Sequence, residues 1–212
     1  MDRPDALRFK SPEPRIHPTA ELKSCKLGRY SAIGERVIVI ATSTGAALAV
    51  QAATTPAMAE NVAAMVLISP NFGVRASGAE LLTMPWGKQM AELIVGTSYS
   101  FEPKNALHKI FWTTRYPTSA LLPMAAMAKL ALEAPVEETS IPALFIFSDS
   151  DRVVRSNLTR EIAVRWGGPK EIVPIDDTDD PNHHVIAGNA LSPSTTYVLA
   201  ERIIVWAKAI LD

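Results

Sequence analysis

Apolar residues gather in four short runs along the chain, at 37–41, 65–69, 143–148 and 171–175. Each run has the length of a strand, and its apolar positions follow one another rather than alternating with polar ones. That is the pattern of parallel strands covered on both faces. Helical patterns fall between and after them. One over 44–53 follows the first run, and one over 157–166 follows the third and is closed by Gly167, Gly168 and Pro169. A third, over 195–211, ends the chain and puts Leu199, Ile203, Trp206 and Ile210 on one face. Strands alternating with helices predict a parallel α/β sheet with right-handed crossovers.

Two segments depart from this rhythm. Residues 1–18 carry prolines at 4, 12, 14 and 18 without sustained periodicity and read as a loose arm, followed by a short helix over about 19–32 that ends near Gly34. From 73 to about 140 the chain is helical and rich in Met, Leu and Trp, with no good strand. That stretch is too long for one crossover and predicts a helical cap inserted over the end of the sheet. The expected division is an arm and short helix at 1–33, a core at 34–72 and 141–212, and a cap at 73–140.

The first strand runs into its helix through VIVIATSTGAALAV, with Ser43 at the apex. A sharp strand-to-helix turn strains its apical residue toward positive φ and lifts that side chain clear of the sheet. The usual frame for a nucleophilic serine is G-x-S-x-G, and here Ala41 stands at the first glycine position, with Gly45 at the second. Strand and helix cross closely there, so both positions call for small residues. The amide of Thr44, at the helix N-terminus, is placed to receive a developing oxyanion. Alternatively, Ser43 only caps the helix.

Composition narrows the field without choosing between these readings. The 212 residues are 48% hydrophobic and 20% charged, with a net charge of −1. This is ordinary for one soluble domain and offers no global field for nucleic acid or an anionic membrane. Cys25 is the only cysteine, so no internal disulfide forms, and a reducing, cytoplasmic setting is expected. The N-terminal residues lack the apolar centre of a signal peptide, and no apolar stretch is continuous enough for stable membrane insertion.

A serine nucleophile needs a base, and the base needs an orienting acid. FIFSDSDRVV places Asp149 and Asp151 just past the third strand, and DDTDDPNHHVIAG places His183 and His184 past the fourth. Serine, acid and histidine then follow successive strands in the order used by α/β-hydrolases, at the sheet edge where open α/β folds build their sites. The cluster Asp176, Asp177, Asp179 and Asp180 has neither paired histidines nor EF-hand spacing, and reads as a solvated loop rather than a metal site. His17 and His108 have no evident chemical partners and read as structural or surface residues.

The chain resembles an α/β-hydrolase of the serine-esterase and monoacylglycerol-lipase-like kind, from about Gly34 onward. The resemblance lies in VIATSTGAALA, LISPNFG, the cap stretches MPWGKQ and FWTTRYPTSALLP, SDSDRVV, and HHVIAGNALSPSTT. It implies a triad of Ser43, Asp151 and His184 with Thr44 at the oxyanion site. In such proteins the histidine precedes a small apolar residue, as His184 precedes Val185, and the acid precedes x-V-V, as Asp151 does. His183 is then a solvent-facing or supporting neighbour and the alternative base, and Asp149 the competing acid. The resemblance implies an ester substrate with an apolar acyl group and no cofactor; Met84, Trp86, Met90, Trp112, Met124 and Met127 either line its acyl pocket or, the commoner role for any one of them, simply pack the cap.

The family sheet has strands ahead of the nucleophile strand and an H-G loop that supplies a second oxyanion amide. Residues 1–36 show no βαβ unit, and no His-Gly pair occurs anywhere in the chain. The chain therefore reads as the C-terminal part of a hydrolase. Its first strand is expected to be an apolar edge that pairs with another copy, is covered by the arm, or lowers solubility. Two other functions stand beside the esterase: a catalytically silent remnant serving as an interaction module, and a nucleotide binder at ATSTGAALA. The second lacks G-x-G-x-x-G and an acidic residue about 20 positions on.

Overall fold

The computed structural model describes residues 35–211. The expected arm and first helix, with His17 and Cys25, lie outside the described residues. The elements are β1 (Val37–Thr42), α1 (Ser43–Ala53), α2 (Pro56–Ala59), β2 (Val62–Ile68), α3 (Gly87–Val95), β3 (Ser98–Ser100), α4 (Ala106–Phe111), β4 (Arg115–Pro117), α5 (Leu121–Leu132), β5 (Ala143–Phe147), α6 (Ser156–Arg165), β6 (Lys170–Pro174) and α7 (Pro193–Leu211).

The main sheet has the order β1-β2-β5-β6, and every pairing in it is parallel. Its two central strands explain the continuous apolar runs. Met65 and Leu67 of β2, with Phe145 and Phe147 of β5, point into one core with Ala46, Ala47 and Val50 of α1 and Ile162 of α6. The residues between them, Ala64, Val66, Leu144 and Ile146, point the other way against Leu199 and Trp206 of α7. Both faces are buried, so neither set of alternating positions can be polar. The alanines of α1 let that helix lie close on the sheet, and Ala46, Ala47 and Val50 are fully buried.

β1 is an edge strand among the described residues, and its Ile40 is 57% exposed.

The connection from β2 to β5 forms a helical insertion, and it differs from the expectation in one respect. It contains two strands, β3 and β4, which pair antiparallel. Each has only three residues, too few for a period-2 pattern to register in the sequence. The pairing is supported by Tyr99 packing on Tyr116 across the strands, centroids 5.4 Å apart, and by Thr118 Oγ1 donating to the Gly96 carbonyl at 2.6 Å.

Helices α3 and α4 turn their apolar faces outward. α3 buries Gly87 and Ala91 while Leu93 and Ile94 are exposed, and α4 buries His108 while Ile110 and Phe111 are exposed. His108 is structural: its Nδ1 accepts the Lys104 amide at 3.1 Å, and its ring stacks on Phe101 and meets Trp112 edge-on. No helix among the described residues is long and apolar enough to cross a membrane.

Candidate active site

Three loops at the carboxyl end of the main sheet meet at one point. The first is the β1–α1 elbow. Ser43 has φ of +49°, the left-handed backbone expected of an apical residue. It does not cap α1: Thr42 is the N-cap and makes no side-chain capping bond. The Ser43 Oγ lies instead 3.1 Å from His184 Nε2. Thr44 is the second residue of α1, so its amide is among those that find no carbonyl within the helix.

The close packing expected at Gly45 is not formed among the described residues. A Cβ there would meet nothing within 4 Å among the described residues. The near approach of α1 to the sheet falls one residue later, at the fully buried Ala46 and Ala47.

Asn71, in the loop after β2, braces this elbow, and sequence reasoning gave it no role. Its amide donates to the Ser43 carbonyl at 3.0 Å, and its Nδ2 reaches Thr44 Oγ1 and Met124 Sδ, each at 3.1 Å. The Oδ1 accepts from the Gly73 amide at 3.1 Å. An Asn followed two residues later by Gly was the available signal, but its partners lie far along the chain.

The second loop carries both candidate acids, and the structure separates them. Asp151 is 1% exposed. Its Oδ1 accepts the amides of Val153 and Val154 at 2.7 and 2.9 Å, and its Oδ2 lies 2.8 Å from His184 Nδ1. Arg75 donates to its carbonyl at 2.9 Å. Asp149 faces away and pairs with Arg160, whose guanidinium holds the Asp149 carboxyl below its usual range.

The third loop brings the clearest correction. The four aspartates do not form a uniformly solvated stretch: Asp180 is 2% exposed. Its Oδ1 accepts from the Asn182 amide at 3.1 Å and from Lys104 Nζ at 2.5 Å. Its Oδ2 accepts the amides of His184 and Val185 at 3.2 and 3.0 Å. Burial pushes this carboxyl up, but Lys104 and the three amides outweigh that and hold it below its usual range. Asp179 receives the Ser194 amide and hydroxyl at 2.9 and 2.7 Å, in the first turn of α7. No group of three or more acidic, histidine or cysteine side chains among the described residues could hold a metal ion.

His183 has φ of +52° and a buried Nδ1 with no hydrogen-bond partner among the described residues, so that side of its ring does not face solvent. Ser43, His183 and Ser69, which directly follows β2 with φ of +43°, are the non-glycine residues with positive φ among those described. All three stand on loops at this end of the sheet, as strained residues at functional sites do.

The expected acyl-pocket residues are dispersed. Met124 touches Asn71 beside the elbow and Met127 packs against the core. Met84, Trp86, Met90 and Trp112 are exposed. An open, polar cavity of about 600 Å³ lies beside the acid loop, lined by residues including Arg75, Glu80, Asp149 and Arg155. Neither Ser43 nor His184 lines it.

Comparison with known proteins agrees with this architecture. The profile of the alpha/beta hydrolase family matches residues 3–189. The chain belongs to that family. The match begins well upstream of Gly34, where the motif resemblance starts. A search of curated protein sequences finds no match.

Among solved structures, one of the metagenome-derived lipolytic enzymes LipS and LipT superposes with a TM-score of 0.65 at 16% identity, covering 86% of this chain and 69% of that one. The monoacylglycerol lipase of Paleococcus ferrophilus gives 0.64 at 14% identity, covering 90% and 74%. A soluble variant of monoglyceride lipase from Saccharomyces cerevisiae gives 0.62 at 9% identity, covering 90% and 67%. At these identities the likeness is one of fold.

Proposed function

We propose that the protein is a serine hydrolase of carboxylic esters, with Ser43 as nucleophile, His184 as base and Asp151 as the orienting acid. One observation carries this reading: the unbroken relay from Ser43 Oγ to His184 Nε2 at 3.1 Å and from His184 Nδ1 to Asp151 Oδ2 at 2.8 Å. Serine and histidine within hydrogen-bond reach, the histidine oriented by a buried carboxylate, is the geometry of an activated nucleophile.

In this mechanism His184 Nε2 takes the Ser43 proton as Oγ attacks the ester carbonyl carbon. Asp151 keeps the proton on Nδ1 and stabilises the imidazolium. The Thr44 amide donates to the oxyanion of the tetrahedral intermediate. Collapse releases the alcohol, which takes its proton from His184, and leaves an acyl-Ser43 ester. Water, deprotonated by His184, then attacks that ester and frees the acid and the serine.

The substrate we infer is a small ester with an apolar acyl group, supported by Met124 beside the elbow; we read the insertion as the cap. Nucleic acid is not among the inferred partners, given the net charge of −1. We read the location as cytoplasmic from the single cysteine. Self-association through β1 belongs to the same reading. Ile40→Lys on that edge should lower the apparent mass in light scattering, and an unchanged mass would remove the edge from the account.

A second reading, a catalytically silent remnant, is favoured by the lack of any His-Gly pair to supply a second oxyanion amide. Loss of one such donor costs roughly 10²–10³ in rate. Covalent labelling by a fluorophosphonate, read by intact mass, decides between the two. A single adduct that disappears in Ser43→Ala supports the hydrolase; no adduct on the folded chain supports the remnant.

A further inference from the structure

We propose that Asp180 is a positioning residue for His184 and that Lys104, its counter-ion from the insertion, makes alignment of the base depend on the seating of that insertion. The inference deepens the reading above and rests on His184 being the base.

A carboxylate offers about four acceptor sites, and Asp180 uses four. Oδ1 takes Asn182 N and Lys104 Nζ, and Oδ2 takes the backbone amides of His184 and Val185. The bond to His184 N is the informative one. It fixes the main chain of the residue whose ring must span Ser43 and Asp151. The neighbouring backbone needs such a clamp, since His183 is held in the left-handed region. Ser192 closes the loop from the other side, donating through Oγ to the Val185 carbonyl and accepting the Asp180 amide at 3.3 Å.

A buried carboxylate is costly without a partner of opposite charge. The partner is Lys104, which stands in the insertion between β3 and α4 and whose side chain is 33% exposed. Its own amide is tied to His108 Nδ1, and the next residue, Asn105, donates through Nδ2 to the Ala190 carbonyl at 2.6 Å. Residues 104 and 105 thus stitch the insertion to the histidine loop at two points. If the insertion lifts, Asp180 loses its cation and the clamp on His184 loosens. The base is then aligned only when the insertion is seated.

The test uses the full chain, with kcat for p-nitrophenyl butyrate expressed per site titrated by fluorophosphonate. A merely structural role would lower the number of titratable sites and leave kcat per site intact. Asp180→Asn should lower kcat per site roughly 10²-fold, the cost of a base displaced by about 1 Å, with KM changed less than about twofold, since no substrate contact is lost. Lys104→Met should lower it about tenfold by the same loosening, and Lys104→Arg should restore it.

Wild-type kcat per site in folded Asp180→Asn overturns the proposal. If circular dichroism shows that this variant does not fold, the Lys104 pair decides. Slowing in Lys104→Met with recovery in Lys104→Arg supports the proposal, and wild-type kcat in Lys104→Met overturns it. A wild-type chain that takes no label overturns the triad reading and this one together. A labelled wild type with unaffected variants overturns this one alone.

Discussion

Asp149 and Asp151 stand two residues apart on one loop and meet opposite surroundings. Asp149 lies against Arg160 with 43% of its side chain exposed, while Asp151 is buried and bonded to His184 Nδ1. Only the second is placed to hold an imidazole tautomer. Asp151→Asn should lower kcat for ester turnover by about 10⁴. Asp149→Asn should leave kcat unchanged and cost less than about 1 kcal/mol of stability, as an exposed ion pair does. Steady-state turnover of both variants checks this, and equal losses would sink the assignment of the acid.

The sequence made some of this legible and hid the rest for physical reasons. β2 and β5 stood out because both their faces are buried, so their apolar residues run unbroken. The elbow stood out because its signal is local: a strand, one apical serine and a helix. Asp180 did not, because an aspartate among aspartates looks solvated until its cation is known, and Lys104 lies 76 residues away. Asn71 was hidden likewise, its partners Thr44 and Met124 being 27 and 53 residues distant. Such polar contacts are made by the topology, and no short window of sequence contains them.

The strain at Ser43 gives a prediction separable from catalysis. A non-glycine residue in the left-handed region costs on the order of 1–2 kcal/mol, which glycine escapes. Ser43→Ala and Ser43→Gly both remove the Oγ proposed as the nucleophile, and both should refuse the fluorophosphonate. Urea unfolding should nonetheless find the glycine variant more stable than the alanine variant by about 1 kcal/mol. Equal stability would mean that the elbow stores no backbone strain.

Two glycines should respond to alanine with opposite signs. Gly45 is the third residue of α1 and has open space at its Cβ position among the described residues, so Gly45→Ala should gain up to about 1 kcal/mol from helix propensity. At Gly167 a Cβ would lie 2.0 Å from the Glu137 carbonyl oxygen, which is backbone. Gly167→Ala must therefore push the chain apart, at a cost of about 1–3 kcal/mol. Thermal midpoints of the two variants, measured side by side, test both.

Asp180 should also shape the stability of the chain in acid. Its folded carboxyl titrates below the ordinary value of 3.8, because Lys104 and the amides of the histidine loop outweigh the effect of burial. As pH falls through 3.8 the unfolded chain takes up the proton first, so equilibrium shifts toward unfolding. The stability contributed by Asp180 is therefore fully present above that value and is lost as pH falls through the folded carboxyl's own, lower one. Asp149 and Asp179 are shifted in the same direction, but both lie at the surface, where solvent screens their contribution. Urea unfolding of wild type and Asp180→Asn from pH 2 to 7 should show a gap that is constant above about pH 5 and narrows as pH falls below 3.8, where the unfolded chain takes up the proton. A gap of the same size at every pH would mean that the charge of Asp180 does not contribute to stability.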